Sequence, residues 1–228
     1  MARAVAALVA LLLALAACDA PVVKDEPARV LVFSRTTGFR HDSIPAGVAA
    51  LRDLVPLDAV EDPTVFTPAG LRRYAAVVFL NTTGDVLNGD QQRAFEGYIR
   101  GGGGFVGVHA AADTEYDWPF YGELVGAYFA RHPAVQRATV RRPDGSSWSH
   151  VDEWYDFRAR PAGVTVLLTV DESTYDGGGM GSDHPIAWRH EYAGGRAYYI
   201  GLGHTSESYS VPEFRALLRD GLAYSMGP

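Results

Sequence analysis

From residue 29 onward, short runs that are almost entirely apolar alternate with stretches of helical periodicity. The apolar runs are Arg29 to Phe33 (RVLVF), a weaker Leu57 to Val60, Ala75 to Leu80 (AAVVFL) and Phe105 to Val108. Between them Ile44, Val48, Leu51 and Val55 recur at helical spacing, and Leu71 to Tyr74 closes a short helix. Asn88 and Gln91 form a capping pair that opens a further helix with Phe95, Tyr98 and Ile99 on its apolar face. Strands with no polar side, each followed by a helix, predict a parallel sheet covered on both faces. The second half reads differently. Ala134 to Arg141, Val164 to Val170, Ile186 to Trp188 and Arg196 to Gly201 are strand-like with little helix between them. The segment AWRHEYAGGRAYYI reads as a hairpin turning at Gly194-Gly195, and Ser210 with Glu213 caps a last helix carrying Phe214, Leu217 and Leu218. The expectation is one α/β domain, a doubly wound sheet with an antiparallel strand extension in its second half.

The first residues follow neither pattern. MARAVAALVALLLALAAC has a positive Arg3, then an apolar run shorter than a membrane span, which marks residues 1–17 as a signal peptide. Leu15-Ala16-Ala17-Cys18 resembles a bacterial lipobox, so Cys18 is the expected lipidation site and residues 18–28 the tether to a domain spanning 29–228. The expected location is the cell envelope, lipid-anchored on the periplasmic or extracellular side of a bacterial membrane. Cys18 is the sole cysteine, which leaves the domain without a disulfide, a thiolate metal ligand or a cysteine nucleophile. The formal charge of −7 becomes −8 once the leader is removed, because its one charged residue is Arg3. An acidic domain of this kind excludes nucleic acid as a partner. Gly101 to Gly104 follows a helix and precedes a strand, the reverse of the order a phosphate cradle needs, and is read as a helix stop.

Ligands of open α/β sheets bind at the carboxyl ends of the strands. His41 lies in the loop after the first strand, His109 closes the fourth, and His204 follows the strand YYIGLGH. These histidines, with Glu153 from HVDEWYDF, are candidates for acid–base work or for a divalent metal, zinc or manganese, assembled from separate loops, since no HExxH run is present. Asp113 follows the His109 turn, and Trp118 and Trp154 offer flat apolar faces to a sugar or to the core. His132 precedes a proline and is read as structural; His150 and His190 are read as surface residues. No Gly-x-Ser-x-Gly elbow surrounds Ser206, which excludes a serine hydrolase of that type.

Taken together, RTTGFRHDSI, GGGGFVGVHAAAD, DEWYDF and HPIAWRHEYAGGRAYYIGLGHTSE resemble the ThuA-like family, named for trehalose utilisation. The resemblance implies a flavodoxin-like fold of the class I glutamine amidotransferase type. Gly107-Val108-His109-Ala110-Ala111 then lies over that fold's Gly-x-Cys-x-Gly elbow, with His109 at the nucleophile position and His204 near the catalytic histidine. Without a thiol there, glutaminase chemistry is excluded. The family implies a carbohydrate ligand, a disaccharide or keto-sugar. The expected chemistry is acid–base cleavage or isomerisation of a glycoside by His109 and His204, assisted by Glu153, with His41, Asp113, Trp118 and Trp154 lining the sugar pocket. The alternative is a sugar-binding or scaffold protein that keeps the fold without the reaction.

Overall fold

The computed structural model describes residues 28–227. The leader, Cys18 and the tether up to residue 27 lie outside the described residues. Among the described residues there are eleven strands, in chain order β1 Val30–Phe33, β2 Leu57–Val60, β3 Ala76–Leu80, β4 Gly104–Val108, β5 Phe129–Arg131, β6 Gln136–Arg141, β7 Ser147–Asp152, β8 Asp156–Phe157, β9 Thr165–Asp171, β10 Pro185–Tyr192 and β11 Gly195–Ile200. The α-helices are α1 Ile44–Arg52, α2 Pro68–Leu71, α3 Gly89–Arg100, α4 Pro119–Val125 and α5 Pro212–Met226. Nine strands form one sheet in the order β2-β1-β3-β4-β11-β10-β9-β6-β7, and β5 pairs with β8 apart from it. β2 to β11 run parallel, while β10, β9, β6 and β7 are antiparallel. The doubly wound sheet and its antiparallel extension are as the sequence pattern predicts.

Burial explains the pattern. β1, β3 and β4 are buried at every position, as strands covered on both faces must be. On one face Phe33, Phe79 and Phe105 meet Phe66, Phe95 and Tyr121 in a continuous set of ring contacts. On the other lies α5, so close that a Cβ on Gly104 would stand 2.2 Å from the Ser225 carbonyl oxygen. Gly104→Ala must push α5 off β4 and is expected to cost about 1–3 kcal/mol, seen as a lowered thermal midpoint; an unchanged midpoint would refute this packing account.

Local details depart from the sequence reading in three places. The hairpin turns at Ala193-Gly194, both at positive φ, with Tyr192 opposite Gly195, one residue earlier than expected. α5 starts at Pro212 after Val211, with no side-chain cap, and Ser210 instead ends a short 3-10 turn. β7, with the edge sequence SWSHVD, is a strand the apolar-run criterion passed over, because its burial alternates. The Asn88–Gln91 capping box is present in full.

Candidate functional site

His109 is the first residue after β4 and holds φ +47°, left-handed backbone that costs a non-glycine residue about 1–3 kcal/mol. A sharp elbow at this position is what the sequence resemblance implied. His109 is fully buried. Its Nδ1 lies 2.9 Å from the Gly201 carbonyl oxygen and carries the proton that bonds it, which turns Nε2 inward toward Glu153.

Four side chains meet there. Rings of His41, His109 and His204 have centroids 4.9, 5.1 and 5.4 Å apart. Glu153 brings one carboxylate oxygen to 3.4 Å from His109 Nε2 and 3.2 Å from His204 Nδ1. These approaches are off the line of a hydrogen bond: His41 Nδ1, His109 Nε2 and His204 Nδ1 are all buried without a hydrogen-bond partner. One ligand atom from each of His41, His109, Glu153 and His204 falls within a 4.8 Å set. The convergence that the strand ends predicted for the three histidines is present, and Glu153 joins them.

Glu153 reaches the site because the antiparallel extension curls back. It follows β7, the far edge of the sheet, yet Asp152 beside it accepts hydrogen bonds from the backbone N–H of Gly203 at 2.8 Å and His204 at 2.9 Å. Ser208 Oγ donates to Asp152 at 3.0 Å, and His150 Nε2 lies 3.3 Å away. Irregular register in β10 against β9 helps to bend the sheet. His150 is thus buried beneath the site, not a surface residue as its sequence context suggested.

The electrostatics follow from this crowding. Burial, then the neighbouring His109 and His204, push the His41 imidazole down to about 3. Unfolded, His41 takes up a proton near pH 6.5, whereas the folded residue does not until about 3, so its burial costs stability as pH falls through that window. NMR titration of metal-free protein is expected to show His41 neutral at pH 5; protonation near pH 6.5 would contradict its placement. Burial opposes the Glu153 charge, yet His109 and His204 hold its carboxyl below the usual carboxylate range. The Glu153 carboxylate in turn raises His204.

A cavity of about 170 Å³ opens beside the cluster, lined by Phe39, His41, Asp113, Phe129, His132, Glu153 and Tyr155. Asp113 is there as expected; desolvation raises its carboxyl, which accepts a 2.6 Å hydrogen bond from Tyr116 Oη. The two tryptophans are not. Trp154 is fully buried and donates Nε1–H to the Gln136 carbonyl oxygen at 3.0 Å, a core residue of the extension. Trp118 packs against Phe95, Phe120 and Tyr121. The sequence reading also passed over two neighbours of the site. His132, half exposed, sets Nδ1 3.0 Å from the second Glu153 oxygen, and Tyr155 lies over His109 with ring centroids 4.3 Å apart. The HP dipeptide hid the first, and nothing in the sequence marks the second.

A second grouping, Asp156, Glu172 and His184, is engaged by its own neighbours. His184 Nδ1 is 2.8 Å from Glu172, its Nε2 is 2.9 Å from the Tyr155 carbonyl oxygen, and Arg131 is 2.6 Å from Asp156.

Fold and site together define a doubly wound α/β protein with a flavodoxin-like sheet, whose elbow after β4 carries histidine in a cluster of three imidazoles and one carboxylate. The ThuA family, described as trehalose utilisation, matches residues 29–225, and the chain belongs to it. That membership suggests a role in trehalose utilisation. A ThuA-like protein from Bacteroides uniformis superposes with a TM-score of 0.75 at 22% identity, covering 91% of this chain and 94% of that one. Another from Parabacteroides merdae gives 0.72 at 19% identity, covering 88% and 90%. A β-galactosidase from Halorubrum lacusprofundi shares the fold with a TM-score of 0.58 at 22% identity, over 88% of this chain but 30% of that one. No curated protein matches the sequence. Among the described residues no helix is long and apolar enough to cross a membrane.

Proposed function

We propose that this protein is an exported, lipid-anchored enzyme of disaccharide metabolism that acts on a disaccharide or its keto derivative through a divalent metal held by His41, His109, His204 and Glu153. The observation that carries this reading is the set of three buried imidazole nitrogens without hydrogen-bond partners, gathered around one carboxylate. A carboxylate facing imidazole nitrogens off the line of a hydrogen bond is held by protons on those rings or by a cation between them, and histidine with glutamate is a ligand set suited to zinc or manganese. The Gly201 carbonyl that fixes the His109 tautomer is the kind of outer partner that orients a metal-ligating imidazole.

His109 suits ligation better than direct acid–base work, because its side chain is fully enclosed and cannot touch a substrate. A bound divalent ion supplies Lewis acidity to a substrate oxygen. The proton-handling groups on the cavity wall are Asp113, whose carboxyl is raised by desolvation, and His132, which opens to solvent. On a keto-disaccharide, Asp113 takes the proton from the carbon beside the carbonyl. That electron pair forms a carbon–carbon double bond as the glycosidic C–O bond breaks, and the departing oxygen receives a proton from His132 or water. No lysine or arginine lines the cavity, which favours a neutral sugar over a sugar phosphate.

The test is to follow trehalose and keto-trehalose by NMR with chelator-treated protein and with protein reloaded with zinc or manganese. Cleavage or isomerisation by the reloaded protein alone is expected. Binding without turnover would favour a sugar-binding protein, and equal turnover after chelation would remove the metal from the mechanism.

A further inference from the structure

Among the described residues one aromatic side chain is exposed: Phe39, at 65%. Its loop, between β1 and α1, is held in place. Thr83 Oγ1 donates to the Phe39 carbonyl oxygen at 2.8 Å and accepts the Gly38 N–H at 3.3 Å, while Thr37 N–H bonds the Thr83 carbonyl oxygen at 2.9 Å. The ring is therefore displayed by a fixed backbone. It stands edge-on to His41, with centroids 4.9 Å apart at 85°, on the rim of the cavity beside the histidine cluster.

The size of that cavity makes the ring informative. At about 170 Å³ it is smaller than the roughly 300 Å³ lower bound for sites that enclose drug-sized ligands. It is too small to enclose a disaccharide, part of which must lie outside it. An aromatic face held rigidly beside a cavity gives the flat C–H face of a pyranose an apolar surface to stack on.

We propose that Phe39 is a specificity-determining platform on which the second ring of a disaccharide stacks while the first occupies the cavity. This rests on the sugar-metabolising reading above and adds to it the arrangement of the substrate and the residue that selects two rings over one.

The test is calorimetric titration of the zinc-loaded wild type, Phe39→Ala and Phe39→Trp with trehalose, its keto derivative and glucose, with zinc content measured for each variant. Because the side chain is exposed, both variants are expected to fold and to keep the wild-type zinc content. Phe39→Ala is expected to weaken binding of the two-ring sugars roughly three- to tenfold with glucose changed less than about twofold, and Phe39→Trp is expected to restore the difference. Two-ring sugars bound equally by wild type and Phe39→Ala would overturn the platform while leaving the sugar reading intact. Parallel weakening of one-ring and two-ring sugars, or loss of zinc in Phe39→Ala, would show that Phe39 acts through His41 and would also overturn it. Failure of every sugar to bind the wild type would overturn the sugar reading, and the platform with it.

Discussion

Asp152→Ala is expected to lower the thermal midpoint by roughly 10 °C, the largest stability loss of any single change at the site. Asp152 is completely buried and its carboxylate accepts the Gly203, His204 and Glu153 backbone N–H groups and the Ser208 hydroxyl, with His150 alongside. Removing it strands buried donors from the His204 loop and from the end of β7, at about 1–3 kcal/mol each. A total of about 3–5 kcal/mol, at about 2–4 °C per kcal/mol in a domain of this size, gives the expected drop. Burial alone would raise this carboxyl. The His150 contact, the nearby His109 and the Gly203 N–H outweigh it and hold the group low. The unfolded state thus binds the proton first, so the stabilisation is present above about pH 4 and is lost as pH falls through the depressed folded value. Differential scanning calorimetry of Asp152→Ala and Asp152→Asn reads the effect, the asparagine being intermediate because it keeps one acceptor. A midpoint within about 2 °C of wild type for alanine would show that the carboxylate does not tie β7 to the His204 loop.

Glu153→Gln is expected to reduce zinc affinity more than hundredfold while leaving the fold intact. Loss of an outer partner of a metal ligand costs about 10- to 100-fold, and a ligand itself more. Glu153 is the one anion among the four converging groups, and glutamine keeps its size without its charge. In the metal-free protein the same change removes the carboxylate that raises His204, so the His204 titration falls back toward the ordinary histidine value. Competition titration against a zinc chelator measures the first effect and NMR the second. An affinity within threefold of wild type would mean that Glu153 pairs with imidazoles and holds no metal.

The fold was legible where burial is complete. Val30–Phe33, Ala76–Leu80 and Gly104–Val108 read as strands because no position in them faces water. β7 was not, since SWSHVD alternates buried and exposed positions with a histidine among the buried ones. His41, His109 and His204 could be found from topology, since strand ends of a parallel sheet share one rim. Glu153 could not be placed by topology, because its strand is at the opposite edge in hydrogen-bonding order and returns only by curvature of the extension. Trp154 points inward to the Gln136 carbonyl, which decides for the core between the sugar and core roles that its sequence left open. The left-handed backbone at His109 has no local signal other than the small residues after it, and the position of Phe39 depends on a threonine far along the chain.

The central claim, a metal centre at the His109 elbow, is tested most directly by elemental mass spectrometry of the purified protein after exposure to excess zinc or manganese and removal of free ion. The account predicts about one ion per chain in the wild type and almost none in His109→Ala. No bound ion in the wild type, or the same ion content in His109→Ala, would contradict it.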